Sequence, residues 1–390
     1  MSLHCPACRG ANVVALLDLG ETPVFCNVQW PSREQARAAA KGPLALSACT
    51  DCGHVFNRVY DASKTVYAPG YENSQHASSV FRGYAESLVD RLVDRYDIRG
   101  RSVVDIGCGR GDLLALICER GGNRGFGFDP SYAGAGLAGD DKPFTIRREY
   151  FDAGHAAAIK PSLVSCRHVL EHVEDPVAFL RVLRTAIDAA GDAVLYLEVP
   201  SGEELLTSLG LWDYLYEHVS YFSARSLETV LRAAGFEVIA MRRDFGGQFL
   251  CAEARVARSP VADVPPQSPP FAAIDDAAAK MVARLDHWKR WAVELPNDGS
   301  VSLWGAGSKG VMFLNLLGLT APGKIDRVVD QNADKHGRFV SVTGQEIIAP
   351  EGLRPGEVRQ IVLMNGIYES EIRQRLDALS LKAEVVVAWP

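Results

Sequence analysis

Val104-Asp105-Ile106-Gly107-Cys108-Gly109-Arg110-Gly111-Asp112 is the segment from which the architecture can be inferred. It reads as a buried strand that begins near Ser102, a turn made of glycines, and a helix that starts near Leu113. Glycine lets the backbone approach a ligand closely and adopt positive φ where a side chain would clash. In doubly wound α/β folds the first strand–helix turn is where nucleotide-like ligands sit. The flanking sequence agrees. An amphipathic stretch (Tyr84, Leu88, Leu92, Tyr96) leads into the strand, and apolar runs at 125–128, 163–166 and 193–198 alternate with helical stretches. That alternation predicts a mainly parallel sheet with helices on both faces.

Two acids narrow the ligand. Asp105, at the strand end, can receive a positively charged amino group, which a pyrophosphate site has no use for. Asp129 follows Gly109 by twenty residues and ends the next strand, where a carboxylate can accept both ribose hydroxyls. Together they favour S-adenosylmethionine over a dinucleotide. The plain alternative is a glycine turn with two solvated acids.

Over residues 65–255 the chain resembles the class I methyltransferases, whose first motif matches Asp105-Ile106-Gly107-Cys108-Gly109-Arg110-Gly111 and whose ribose acid matches Asp129. The resemblance implies that Tyr150 and Phe151 lie near the adenine and that the stretch from Cys166 through His168 to His172 closes the cofactor's other side. It also implies that the lead-in from Tyr71 folds over the cofactor, although Tyr71 reads equally well as a packed aromatic.

Nine cysteines without a secretory leader point to a reducing compartment, expected to be the cytoplasm. Four of them form two C-x-x-C pairs, Cys5/Cys8 and Cys49/Cys52. This spacing suits a closed, structural Cys₄ zinc site. The forty residues between the pairs must loop out, and Gly53 supplies the small residue a knuckle turn needs. Free core cysteines or a redox pair are the alternatives; His4 and His54 read as bystanders.

The proline-dense segment 259–270 cannot be helical and reads as a linker, followed by a helical pattern over 272–293. A second strand and glycine turn then appears at Val301-Ser302-Leu303-Trp304-Gly305-Ala306-Gly307-Ser308-Lys309-Gly310. A helix N-terminus there, aided by Lys309, suits an anionic phosphate, and Asp330 ends the next strand in the ribose-acid position. A purely structural turn would look the same. The expected organisation is a zinc-binding domain at 1–64, a methyltransferase domain at 65–258, a linker and helix at 259–296, and a Rossmann-like substrate-binding domain at 297–390.

In this combination the whole chain resembles the sugar C-methyltransferase family, which methylates carbon 3 of nucleotide-linked 4-keto deoxysugars. The family's Gly-Ala-x-x-Lys, acidic strand end and Asn-His-x-x-Glu are met here by Gly305 to Lys309 (Gly307 included), Asp330, and Asn365-Gly366-Ile367-Tyr368-Glu369. Gly366 stands where the family has histidine, which leaves open which nucleotide or sugar is held.

The densest functional cluster is Trp212-Asp213-Tyr214-Leu215-Tyr216-Glu217-His218-Val219-Ser220-Tyr221-Phe222. Methylating carbon requires removal of an acidic α-proton, and histidine near its ordinary pKa suits that task. The resemblance makes His218 the base, Glu217 its tuning partner, Tyr216 or Tyr214 the donor to an enolate oxygen, and His172 a second residue of the substrate wall. A similar Glu-His stretch in O- or N-methyltransferases only braces a loop, so that activity and a non-catalytic metabolite-binding role remain competing readings. The net charge of −7 argues against a general nucleic-acid binder, and no apolar run is long enough for a membrane span. The expected partner is a small molecule.

Overall fold

The computed structural model describes residues 3–65, 74–132, 134, 142–259 and 274–389. A seven-stranded sheet forms the centre, in the order Phe236–Asp244, Phe249–Val256, Val194–Pro200, Leu163–Arg167, Ser102–Ile106, Arg124–Phe128, Phe144–Arg147. The last five run parallel; Phe249–Val256 is antiparallel to both its neighbours, so the edge strand Phe236–Asp244 runs in the same direction as the five. Chain order reverses at Ser102–Ile106, which places the first glycine turn at the switch point where such sheets bind ligands.

The inner strands are mainly apolar because both faces are covered. Val103 and Leu163 pack on one side with Leu88, Leu92 and Ile117 from the helices Ser79–Tyr96 and Asp112–Gly121. Val104 and Val164 face the other way, onto Leu180, Leu183, Leu227 and Val230 from Pro176–Ala190 and Ala224–Ala233. Local chemistry sets where these helices start. Ser78 accepts from the N–H groups of Val80 and Phe81, Asp175 accepts from Ala178, and Ser223 and Ser226 form a reciprocal capping box.

Two smaller sheets flank the centre. The N-terminal one consists of Val13–Pro23, Lys41–Cys49 and Val55–Asn57, with Ser220–Tyr221 as its fourth strand. The expected zinc-binding unit at 1–64 is therefore completed by residues from the functional cluster, through the pairs Val55 with Tyr221 and Phe56 with Ser220. The C-terminal sheet is wholly parallel, in the order Glu346–Ile348, Arg327–Val329, Val301–Trp304, Gln360–Leu363, Glu384–Val387. The helix Ile274–Glu294 precedes it, and most of the proline-rich segment lies outside the described residues. No helix among the described residues is long and apolar enough to cross a membrane.

One core serves both flanking sheets. Leu211, Trp212, Tyr214, Leu215 and Tyr221 pack with Leu44 and Leu46 of the N-terminal sheet and with Met312 and Phe313 of the C-terminal one. Trp212 is fully buried, with its ring centroid 4.9 Å from Phe313 and 6.4 Å from Trp288. Trp212→Ala should cost about 3–5 kcal/mol of stability, read from the midpoint shift in urea unfolding; a loss below about 1 kcal/mol would contradict a shared core.

Candidate active site

A single cavity of about 1620 Å³ runs along the carboxyl ends of both parallel sheets. Its wall includes Asp105, Gly107, Gly109, Asp129, Tyr150, Phe151, His168, His172 and His218 from the central region, and Gly305, Gly307, Lys309, Asp330 and Asn365 from the C-terminal sheet. The two halves predicted from separate motifs therefore share one chamber.

On the cofactor side, Gly107, Gly109 and Gly111 all have positive φ (66°, 53° and 89°). A Cβ on Gly107 would strike the Val169 side chain, whereas one on Gly109 would meet no atom within 4 Å, so Gly109 leaves open space for a ligand. Asp129 accepts from the Gly109 N–H at 2.8 Å and from the Ser131 N–H and hydroxyl at 2.8 and 2.6 Å. Its carboxylate is thereby aimed into the cavity, as a ribose ligand must be. Asp105 is buried and accepts from Ser165 Oγ at 2.6 Å; burial raises its pKa to about 6. Phe151 is packed against Phe128, while Tyr150 is exposed at the rim. Tyr71 lies outside the described residues.

The second glycine turn repeats the first. Asp330 accepts from the Ala306 N–H at 2.8 Å and from the Asn332 N–H at 2.8 Å, as Asp129 does from Gly109 and Ser131. Gly305 has φ 115°, and a Cβ on Gly307 would meet nothing within 4 Å. Asn365 pairs amide to amide with Gln248 at 3.0 and 2.8 Å, tying the C-terminal wall to the central sheet. Lys309 does not point to open solvent as a free phosphate ligand would. Its Nζ lies 3.1 Å from Asp213 Oδ2 and 4.8 Å from the centroid of the Trp389 ring.

Between the two turns stand the histidines. His172 and His218 meet edge to face at 4.8 Å, and His172 Nδ1 hydrogen-bonds the Glu217 carbonyl oxygen at 2.9 Å. His218 Nδ1 is buried and has no hydrogen-bond partner among the described residues. Burial, reinforced by the positive charges of His172, His168 and Lys309, pushes the His218 pKa well below its ordinary value, so the ring is neutral. His168 is the opposite case. Burial disfavours its charge, but Glu171 and Glu198, at 3.3 and 3.0 Å, outweigh that and raise its pKa to about 9. It is an imidazolium at neutral pH and cannot act as a base.

Three expected catalytic side chains lie elsewhere. Glu217 is fully buried, and its Oε1 accepts from the Cys26 N–H at 3.1 Å, off the cavity wall; it holds the N-terminal unit rather than tuning His218. The Tyr216 hydroxyl exchanges hydrogen bonds with the Asp61 backbone, and its ring leans on Tyr60 and the backbone of Gly42. Tyr214 is buried against Tyr221. Neither tyrosine lines the cavity; Leu215, between them, does. The buried segment alternates its directions, and the aromatic rings follow the apolar core.

Residues not singled out from the sequence also shape the wall. Arg167 chelates Glu198 through Nε and Nη2 at 2.9 and 2.8 Å, and Tyr196 and Tyr84 donate to the same carboxylate. Burial pushes the Glu198 carboxyl up, yet Arg167 and His168 outweigh it and hold it below the usual range. Arg110 of the first glycine turn pairs with Asp334 beyond the second, closing one side of the cavity. The adjacent positions of Arg167 and His168 offered a clue, but their acid partners Glu171 and Glu198 are set by the fold.

At the amino end, the four thiols of Cys5, Cys8, Cys49 and Cys52 converge. Their sulfur atoms all lie within 4.8 Å of one another, with Cys5–Cys52 and Cys8–Cys49 each at 3.6 Å. His54 is no ligand: its Nε2 hydrogen-bonds Ser220 Oγ at 3.1 Å.

The fold and cofactor half define a class I, S-adenosylmethionine-dependent methyltransferase domain; residues 77–241 match the family model described as a methyltransferase domain. Residues 276–390 match the C-methyltransferase C-terminal domain. Among curated proteins the chain is similar to C-methyltransferase NovU of Streptomyces niveus, 27% identical over 241 residues that cover 60% of this chain and 56% of NovU. It is also similar to a tRNA U34 carboxymethyltransferase of Dichelobacter nodosus, 27% identical over 143 residues (34% and 44% of the two chains). The chain spans about half the length of these relatives. A solved structure of magnesium protoporphyrin IX methyltransferase from Synechocystis with bound SAH superposes with a TM-score of 0.34 at 22% identity, over 46% of this chain and 84% of that one.

Asp129→Asn should weaken S-adenosylhomocysteine binding about 10- to 100-fold in calorimetry, the range expected for charged hydrogen bonds lost at a buried site. The pH dependence follows from Asp105. Its carboxylate attracts the ligand's ammonium only when ionised, so affinity should fall as pH drops through about 6 and hold level above it. A flat profile between pH 5 and 8 would remove Asp105 from that role.

Proposed function

We propose that this chain transfers the methyl group of S-adenosylmethionine to carbon 3 of a nucleotide-linked 4-keto deoxysugar, with His218 as the base. The observation that carries this reading is the single cavity with a glycine turn and its loop-bound aspartate at each end, and the packed histidines His172 and His218 between them. Two nucleoside-type ligands can lie head to head there, one bringing the methyl group and the other the acceptor.

The cofactor supplies an electrophilic methyl on a cationic sulfonium. The chain's own part is to place the acceptor carbon in line with it and to remove the α-proton. His218 is the base in this reading because it lines the cavity unprotonated and is steadied by His172, itself fixed by the Glu217 carbonyl; its lowered pKa makes it a weaker base than an ordinary histidine, so the enolate needs stabilisation of its own. Its low pKa leaves it deprotonated across the physiological range. Asp129 and Asp330 would each hold a ribose, with Lys335, 3.4 Å from Asp330, beside the second.

Zinc belongs to the same proposal. With Zn–S bonds of about 2.3 Å, tetrahedral thiolates stand roughly 3.8 Å apart, and the sulfur separations of 3.6 Å match that arrangement. The turns also fit, since Cys5 N–H donates to the Gly10 carbonyl, Gly53 N–H to the Cys49 carbonyl, and Gly53 has φ 72°. Four thiolates leave no open position, so the ion would fasten the N-terminal sheet and not take part in chemistry.

His218→Ala should lower methyl transfer to a thymidine-diphosphate 4-keto-6-deoxyhexose by about 10²- to 10⁴-fold, followed as product gaining one CH₂ in mass, while S-adenosylhomocysteine binding persists. Undiminished turnover would make the histidine a structural residue. Metal analysis should find about one zinc per chain, and Cys49→Ser should abolish it and lower the melting temperature; a metal-free chain of equal stability would dispose of the zinc site.

A further inference from the structure

Removing a proton beside a ketone places negative charge on the carbonyl oxygen, and a fixed positive group or donor aimed at that oxygen is the largest help a protein can give. The tyrosine hydroxyls suggested by the sequence lie off the cavity, and Leu215 occupies the wall between them. One lysine, Lys309, lines the same cavity as His218, with its ammonium held at Asp213, five residues before that histidine.

Resting on the ketone reading above, we propose that Lys309 is the electrostatic catalyst of this site, its ammonium receiving the enolate oxygen formed when His218 takes the α-proton. In that step the C–H bond breaks and the proton passes to His218. The bonding pair delocalises onto the carbonyl oxygen beside Lys309. The pair then returns through carbon to form the new C–CH₃ bond, and the methyl–sulfur bond breaks with its electrons left on sulfur.

Four observations assign the role. Lys309 begins the helix Ser308–Leu316 after the second glycine turn, yet its Nζ reaches Asp213, five residues before His218, at 3.1 Å. It thus spans from the acceptor-binding turn to the segment that carries the base. Its side chain is 19% exposed and that of Asp213 is 12% exposed, so both charges stand in a partly desolvated place where an ion is worth more than in water. The Asp213 carboxylate and the Trp389 ring face each engage one side of the ammonium, which restricts where it can lie. Three other cations of the wall are tied to carboxylates away from His218: Arg167 to Glu198, Arg110 to Asp334 and Lys335 to Asp330. The same charge also helps keep His218 neutral, since Lys309 is among the groups that depress its pKa.

A phosphate clamp, the role the glycine turn alone suggests, predicts different kinetics. The test uses the full chain and its Lys309→Met and Lys309→Arg variants, with S-adenosylhomocysteine binding as a check on folding. With S-adenosylhomocysteine bound in D₂O, exchange of the sugar's α-proton isolates enolate formation from methyl transfer. Lys309→Met should slow exchange and kcat by about 10²- to 10³-fold with KM changed less than about threefold, and Lys309→Arg should recover part of the rate. Loss of the positive charge should also raise the His218 pKa, moving the acid limb of the pH–rate profile upward. A raised KM with kcat, exchange and acid limb unchanged would overturn the proposal in favour of the clamp. If the wild-type chain does not turn over the keto sugar, the substrate reading fails on its own. NMR titration of His218 then tests the placement of the charge on which the proposal depends: an upward shift in Lys309→Met supports an ammonium beside His218, and an unmoved imidazole overturns it.

Discussion

The geometry of this protein depends on the burial of one stretch, residues 211–222, among three sheets. Trp212 fills the core shared with the C-terminal sheet, Tyr221 forms a strand pair with the N-terminal one, and Phe222 packs into the central core. Large aromatic groups cannot leave these positions without opening cavities that cost several kcal/mol. Asp213, Leu215 and His218, interspersed among them, are consequently presented to the cavity with little freedom. The same packing binds the flanking sheets together, so the stretch that carries His218 also determines the spacing between the two glycine turns.

Electrostatics divide the cavity into zones with different protonation. Next to the cofactor turn, Glu171 and Glu198 keep His168 charged, and Arg167 with His168 keeps Glu198 ionised in return. Elsewhere on the same wall, burial and like charge push the His218 pKa down and favour its neutral form. Two histidines on one wall therefore hold opposite protonation states at the same pH, a separation that suits a site needing both a fixed cation and a base. Neither state follows from histidine's ordinary pKa; each is imposed by what the fold packs around the ring.

The two ends of the cavity reach the same solution from unrelated stretches of chain. At each, a glycine turn offers a backbone N–H to the aspartate that ends the next strand, Gly109 to Asp129 and Ala306 to Asp330. This contact orients the carboxylate before any ligand arrives, which lowers the cost of ordering it on binding. Arg110 and Asp334 then pair one turn with the surroundings of the other.

The sequence by itself determined the parallel sheet, the two glycine turns, the spaced aspartates and the paired cysteines. Each is a local pattern: apolar runs of strand length, glycines where φ turns positive, acids at strand ends, and C-x-x-C spacing. The forty-residue gap between the cysteine pairs did not hide their relation, since the strands Val13–Pro23 and Lys41–Cys49 run antiparallel and return the chain to its start. Tertiary structure alone decided the rest. It gave Ser220–Tyr221 to the N-terminal sheet, joined two predicted sites into one cavity, and turned Glu217, Tyr214 and Tyr216 away from it while bringing Lys309 to Asp213. Residue type and spacing say that such groups are near one another along the chain. Which way each one faces is set by how three sheets divide the burial of a single aromatic segment, and that is a property of the packed whole.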